Sequence, residues 1–125
     1  MKTISFFIAL PFLFVSCATP KYVAFNPSKA EMASKRIEGK TPKETSNLLG
    51  KPMSAYYHKD GSTYHLIYPV SDKEVSVTDL MFNKNLECLS FNFEKDKNFK
   101  YDGWKVLAFN CSTIKDEKLD TSLID

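Results

Sequence analysis

The chain has 125 residues, 43% of them hydrophobic and 26% charged, and a formal net charge of +2. That length holds one small domain, and the near-balanced charge argues against both a polybasic nucleic-acid binder and an acidic disordered chain. Four glycines and six prolines exclude collagen-like and low-complexity sequence, and three cysteines are too few for a disulfide-dense mini-protein or a four-cysteine zinc site.

Met1–Cys17 reads MKTISFFIALPFLFVSC and concentrates Phe6, Phe7, Phe12 and Phe14. Lys2 forms a minimal positive region, and Ile4–Val15 is an apolar run broken only by Ser5 and Pro11. As a helix that run spans roughly 18 Å, short of the ~30 Å hydrocarbon core. Residues 1–16 therefore read as a signal peptide rather than a spanning helix. Phe14-Val15-Ser16-Cys17 resembles the bacterial lipobox, with Phe14 in the place of the usual leucine. The resemblance implies a diacylglyceryl group on the Cys17 thiol, cleavage after Ser16 and acylation of the new amino terminus, for instance by palmitate. Two or three acyl chains anchor firmly where one holds only marginally. Ala18 follows the cysteine where an aspartate would favour inner-membrane retention, which points to the outer membrane, on its periplasmic face. The other reading is an ordinary secretory signal that happens to precede a cysteine.

Export leaves Cys88 and Cys111 as an even pair in an oxidising compartment. A disulfide between them would close a loop of about 24 residues and contribute roughly 3 kcal/mol. Two buried free thiols are the alternative. No CxxC is present and there are only two histidines, so zinc and thiol-redox roles are disfavoured.

Residues 17–27 read as the lipidated cysteine and a tether, with Tyr22, Val23 and Phe25 apolar enough to dock or to add a strand to the domain. The domain itself is expected over 28–113. Ser28–Glu38 carries a helix signature: Ser28 and Glu31 form a capping box, Ala30, Met32, Ala33 and Ile37 make an apolar stripe, and Gly39 stands at C′. In the next stretch Thr41 caps, Pro42 suits the first helical position, Glu44 completes a capping box, and Leu48 with Leu49 forms the buried end before Gly50 and Pro52. Ala55–Lys59 and Thr63–Val70 flank Asp60-Gly61, which predicts a hairpin pairing Tyr57 with Tyr64 and Tyr56 with His65. Val75–Phe82 and Leu86–Phe93 read as a second strand pair around Asn83-Lys84-Asn85, with Leu89, Phe91 and Phe93 alternating against Cys88, Ser90 and Asn92. Lys95–Gly103 is expected as a charged loop, Trp104–Cys111 as a last strand, and 114–125 as a frayed tail. The order implies an α+β domain, with two short helices packed on one face of an antiparallel sheet of three or more strands.

Gly39-Lys40-Thr41-Pro42-Lys43-Glu44 followed by Leu48-Leu49-Gly50-Lys51-Pro52, and then Tyr64-His65-Leu66-Ile67-Tyr68, resembles the SmpA/OmlA (BamE-like) family of outer-membrane lipoproteins. The resemblance covers about Ser28–Phe93 and departs at Thr45-Ser46, where that pattern has a hydrophobic residue after the Lys-Glu pair. It implies a non-enzymatic, lipid-anchored scaffold that steadies β-barrel protein assembly and envelope integrity. The same fold class also serves secreted inhibitor proteins, so fold alone does not select the role.

No GxSxG, HExxH, P-loop or dinucleotide fingerprint is present, and no enzyme activity, cofactor or metal is expected. His58 and His65 should project from one face of the hairpin, diagonal to each other; two surface histidines beside tyrosines is the plain reading. Tyr56, Tyr57, Tyr64 and Tyr68 cluster on the hairpin, and a tyrosine pair is expected on its open side. Tyr56, His58 and His65 are accordingly the candidate partner-binding residues. Lys95, Lys97, Lys100 and Lys105 interleave with Phe99, Tyr101 and Trp104, a pattern suited to anionic headgroups but diluted by Glu87, Glu94, Asp96 and Asp102. Expected partners are therefore the outer membrane and barrel-assembly proteins. The alternative is a free-standing envelope lipoprotein that binds or inhibits another periplasmic protein; nucleic acid is not expected.

Overall fold

The computed structural model describes residues 21–111 and 119–125, the side chains of 108–110 excepted. The expected signal peptide, Cys17, the first part of the tether and residues 112–118 lie outside the described residues. The elements in chain order are β1 (Lys21–Tyr22), α1 (Pro27–Arg36), α2 (Pro42–Leu49), β2 (Ser54–Tyr57), β3 (Thr63–Pro69), β4 (Val75–Ser76), α3 (Val77–Phe82), β5 (Glu87–Glu94) and β6 (Lys100–Asn110), with a short 3₁₀ turn at Lys95–Lys97. The strands form a four-stranded antiparallel sheet in the order β2-β3-β5-β6 and a two-stranded ladder of β1 with β4. The α+β class read from the sequence is what the chain adopts.

Side-chain alternation along the strands divides the sheet into two faces. One face carries Ala55, Tyr64, Leu66, Tyr68, Leu89, Phe91 and Phe93, packed against Ala30, Ala33 and Ile37 of the α1 segment and Leu49 of α2. The other carries Ile67 and Cys88, covered by Ala24, Val75 and Leu80. The expected helix layer is therefore only part of the architecture. The third helix, α3, lies over the opposite face.

Several boundaries differ from the sequence expectation for identifiable reasons. Helix α1 starts at Pro27, not Ser28. Asn26 is its N-cap, accepting from the Lys29 N–H through Oδ1 at 2.9 Å, with Pro27 in the first turn. Met32 is 66% exposed and does not belong to the buried stripe. The capping box of α2 is as read: Thr41 Oγ1 accepts from the Glu44 N–H, and a Glu44 carboxylate oxygen accepts from the Thr41 N–H. That bond is the main reason the Glu44 carboxyl lies below its usual range. At the far end Leu49 is buried, while Leu48 is 40% exposed.

Residues 21–26 belong to the domain, the alternative to a free tether that Tyr22, Val23 and Phe25 left open. Tyr22 pairs with Val75, the Phe25 N–H donates to the Pro69 carbonyl, and Phe25 accepts in turn from the Ser71 N–H. The anchor is the Phe25 ring, set edge-on to Tyr68 at 5.1 Å and Phe91 at 5.4 Å. Such aromatic pairs add about 0.5–1.5 kcal/mol each beyond their area burial.

The expected Val75–Phe82 strand is a correction as well. Ser76 and Asp79 form a capping box that converts Val77–Phe82 into helix after two strand residues. In the sheet β5 pairs instead with β3 and β6. The last strand begins at Lys100, four residues earlier than read, because residues 100–103 continue the ladder with β5 across a bulge at Asn92/Phe93.

The tail's described part is not frayed. The Asp120 N–H donates to the Ala55 carbonyl on the outer edge of β2, the Tyr64 hydroxyl donates to the Asp120 carbonyl, and Leu123 and Ile124 pack on the core. A buried tyrosine needs an acceptor and an edge strand needs a cover; residues 119–125 supply both. Among the described residues, no helix is long and apolar enough to cross a membrane.

Candidate functional site: the open half of the sheet

Among the described residues, the face opposite α1 and α2 is covered at the β1–β4 end. Toward the hairpin end the described residues leave the rung Tyr56–His65–Asn92–Gly103 uncovered, and the next rung, Ser54–Ile67–Ser90–Lys105, is where the cover over Ile67 begins. The register rests on the hairpin, whose pairing is as read. Its closure differs: the Gly61 N–H donates to the His58 carbonyl, and Asp60 Oδ1 accepts from Ser62, so the tight turn sits one residue earlier than expected. Gly61 supplies the left-handed φ of +73° there.

The three predicted partner-binding residues come together. Tyr56 lies 5.0 Å from the His65 ring, tilted by 35°, and His58 lies 6.1 Å from it. With Lys105 and Leu107 they border a groove of about 350 Å³. His65 itself is 8% exposed and forms the floor rather than the rim. The expected tyrosine pair on the open side is not found: Tyr57 and Tyr64, 4.8 Å apart, form the cross-strand pair on the helix side, and the open side pairs Tyr56 with His65. Tyr68 is also inside, donating to the Gly50 carbonyl at 2.7 Å.

Under the groove, His65 Nδ1 lies 2.6 Å from Asn92 Oδ1 and 3.1 Å from Ser90 Oγ. Ser90 Oγ donates to the same Asn92 oxygen at 2.6 Å. A carbonyl oxygen only accepts, so Nδ1 carries the proton and Nε2 the lone pair. Burial holds the His65 pKa below its usual value; the Asn92 bond opposes this, and electrostatic repulsion from the nearby His58 and Lys105 adds to it. The imidazole is thus neutral at neutral pH.

Ser90, His65 and Asn92 have a catalytic triad's composition but not its geometry. A serine nucleophile must give its proton to a histidine lone pair while the third residue holds the other nitrogen. Here one nitrogen serves both neighbours, and Ser90 is completely buried with its proton directed at Asn92. The arrangement fixes the His65 ring instead, and through it the floor on which Tyr56 rests. Ser90, Asn92, Lys105 and Leu107 were not singled out for this surface from sequence. The polar half of the β5 alternation was the available signal for the first two.

Among the described residues, no group of three or more His, Cys, Asp or Glu is placed to hold a metal. The expected basic-aromatic stretch is divided by the fold. Phe99, Tyr101 and Trp104 pack toward the helix-side core, Lys97 pairs with Asp102, and Lys105 is in the groove on the opposite face. Cys88 and Cys111 are joined as a disulfide, Cα atoms 5.0 Å apart, beneath the half of this face covered by Leu80 and Val75. Comparison with protein-family models, curated proteins and solved structures finds no match to this chain.

Proposed function

We propose that the protein is a lipid-anchored, non-enzymatic lipoprotein on the periplasmic face of the outer membrane, a scaffold or accessory subunit in β-barrel protein assembly and envelope integrity. The observation that carries the binding role is the open sheet face: Tyr56, His58 and Lys105 around a rigid His65 floor. Aromatic side chains with one polar end, held on strands, provide contact area at small entropic cost, which is the chemistry protein interfaces favour. The sequence supports the address through the apolar leader and Cys17, and the Gly39–Glu44 and Leu48–Pro52 motif, resembling the SmpA/OmlA family, supports the barrel-assembly role. The hydrogen bonding around His65 supports a positioned surface rather than a reaction centre.

The test is cross-linking of the tagged, lipidated protein in intact cells, followed by mass spectrometry of whatever is attached. Recovery of barrel-assembly subunits, reduced at least tenfold in a Tyr56→Ala/Lys105→Glu variant, is the expected result. Lys105 is exposed and Tyr56 half-buried at the rim, and substituting them leaves the buried His65 in place, so a folded variant is expected. Unchanged recovery in that variant removes the groove from the interface. Recovery of a soluble envelope protein alone removes the assembly role and leaves a free-standing binder.

A further inference from the structure

We propose that the tip of α3, Met81 and Phe82, seats in the headgroup–acyl boundary of the lipid bilayer and fixes the domain's orientation against the membrane. The inference rests on the lipoprotein reading for its geometry.

Phe82 is 80% exposed and Met81 57% exposed, adjacent on a helix whose Leu80 is buried. Among the described residues, the other exposed large apolar side chains, Met32, Leu48 and Leu119, have no exposed large apolar neighbour in sequence. Two neighbouring ones at a helix end form a wedge, and the exposed Lys84 just beyond has the long stem that lets its charge stay in water beside a buried apolar group.

The antiparallel ladder brings the start of α3 beside Lys21, the first described residue after Cys17. Lys21 pairs with Ser76 and Tyr22 with Val75. Moving upstream from Lys21 therefore corresponds to moving downstream from Ser76, into α3. The amino-terminal chain leaves the ladder at the end where α3 begins. Asp79 records the proximity: Ser76 is the main cause of its lowered pKa, and the Lys21 ammonium lowers it further. Cys17 lies only four residues before Lys21, a reach of about 14 Å at full extension. A lipidated Cys17 thus holds α3 close to the bilayer. The hairpin and the Lys95–Lys97 turn lie at the other end of the seven-residue β3, roughly 20 Å away.

The contact is apolar rather than electrostatic. Among the described residues, exposed or part-exposed charges at this end are Lys21, Lys29, Lys73 and Lys84 against Asp72, Glu74, Asp79 and Glu87, which leaves no net positive charge to attract anionic headgroups. A zwitterionic surface suffices, and salt has little effect.

Full-length protein carrying Phe82→Trp, recovered from cells, is placed on phosphatidylcholine vesicles with plain or brominated acyl chains. Emission is compared with wild type, whose only tryptophan is Trp104. The added emission should shift to the blue and lose roughly half its intensity on brominated chains, the depth expected for an interfacial side chain. Lys95→Trp, at the opposite end, should be unquenched, and raising the salt should leave the Phe82→Trp quench intact. The mass of the amino-terminal peptide reports lipid on Cys17 independently. Lipid without quenching of the Phe82→Trp signal overturns the wedge and keeps the anchor. Quenching without lipid keeps the wedge and overturns the anchor. Neither overturns both, and a quench abolished by salt overturns the apolar contact.

Discussion

Replacing Thr45 by valine should stabilise the fold. Thr45 is the fourth residue of α2 and completely buried, and its Oγ1 is the buried side-chain polar atom without a hydrogen-bond partner among the described residues. A hydroxyl in that position costs about 1–3 kcal/mol on scales derived from protein mutations. Valine keeps the β-branch, so the side-chain rotamer and helix propensity barely change. The backbone is untouched, since the Thr45 N–H still donates to the Thr41 carbonyl at 2.9 Å. The methyl is slightly larger than the hydroxyl it replaces, and crowding offsets up to about 1 kcal/mol of the gain. The net expectation is about 1–2 kcal/mol, or a Tm rise of roughly 4–15 °C. The control is Thr45→Ser, which keeps the unpaired hydroxyl, loses a methyl and should fall by about 1 kcal/mol. Urea unfolding followed by circular dichroism reads both, with the m-value unchanged. A valine variant no more stable than wild type, beside a serine variant that holds its stability, would mean that the hydroxyl is satisfied and the reasoning wrong.

Three further outcomes follow from the same contacts. His65 has a folded pKa below its unfolded value of 6.5, so below that pH the unfolded chain takes up a proton that the folded chain refuses. Stability should therefore decline as pH falls from 6.5 toward the folded pKa, by as much as about 1.4 kcal/mol per pH unit, and His65→Gln should flatten the decline; an identical slope in the variant would assign it elsewhere. Reducing Cys88–Cys111, which are 23 apart in sequence, should lower stability by roughly 3 kcal/mol and raise the m-value, because the unfolded chain expands. Matched denaturation curves of oxidised and reduced protein decide this, and coincident curves would refute it. Gly50 sits at φ +105°, and a Cβ there would lie 2.7 Å from Val23 Cγ2. Gly50→Ala should cost about 1–3 kcal/mol from backbone strain alone, more until Val23 moves; adding Val23→Ala should recover part, and a neutral Gly50→Ala variant would count against the close approach.

The elements legible in the sequence are those whose signals lie within a few residues of each other. The Thr41–Glu44 capping box joins groups three apart on one chain, and Pro42 and Gly50 punctuate the same helix through their own backbone limits. The pairing of Tyr56 with His65 and Tyr57 with Tyr64 follows from a short turn. The face of β5 follows from alternation alone: Leu89, Phe91 and Phe93 lie on one side and Ser90 and Asn92 on the other. Ser76 and Asp79 carried an equally local signal for α3, but the β-prone run of valine, threonine and phenylalanine outweighed it.

Other features required the folded chain. Residues 21–26 have little local structure of their own; they are held because Phe25 finds Tyr68 and Phe91, more than 40 positions away. The tail is held because Tyr64 and the edge of β2 lack partners until Asp120 arrives, and no local pattern in Asp120–Asp125 announces that. The proton on His65 Nδ1 is assigned by Asn92, 27 residues on. The sequence by itself determined the caps of α2, the hairpin register and the polarity of the β5 faces, because these depend on backbone preferences and periodicity over a few residues. Only the tertiary structure decided which groups complete the core, cover the sheet edge and leave Tyr56 open above His65. Those outcomes depend on satisfying buried surface and hydrogen bonds between residues that the chain brings together only when folded.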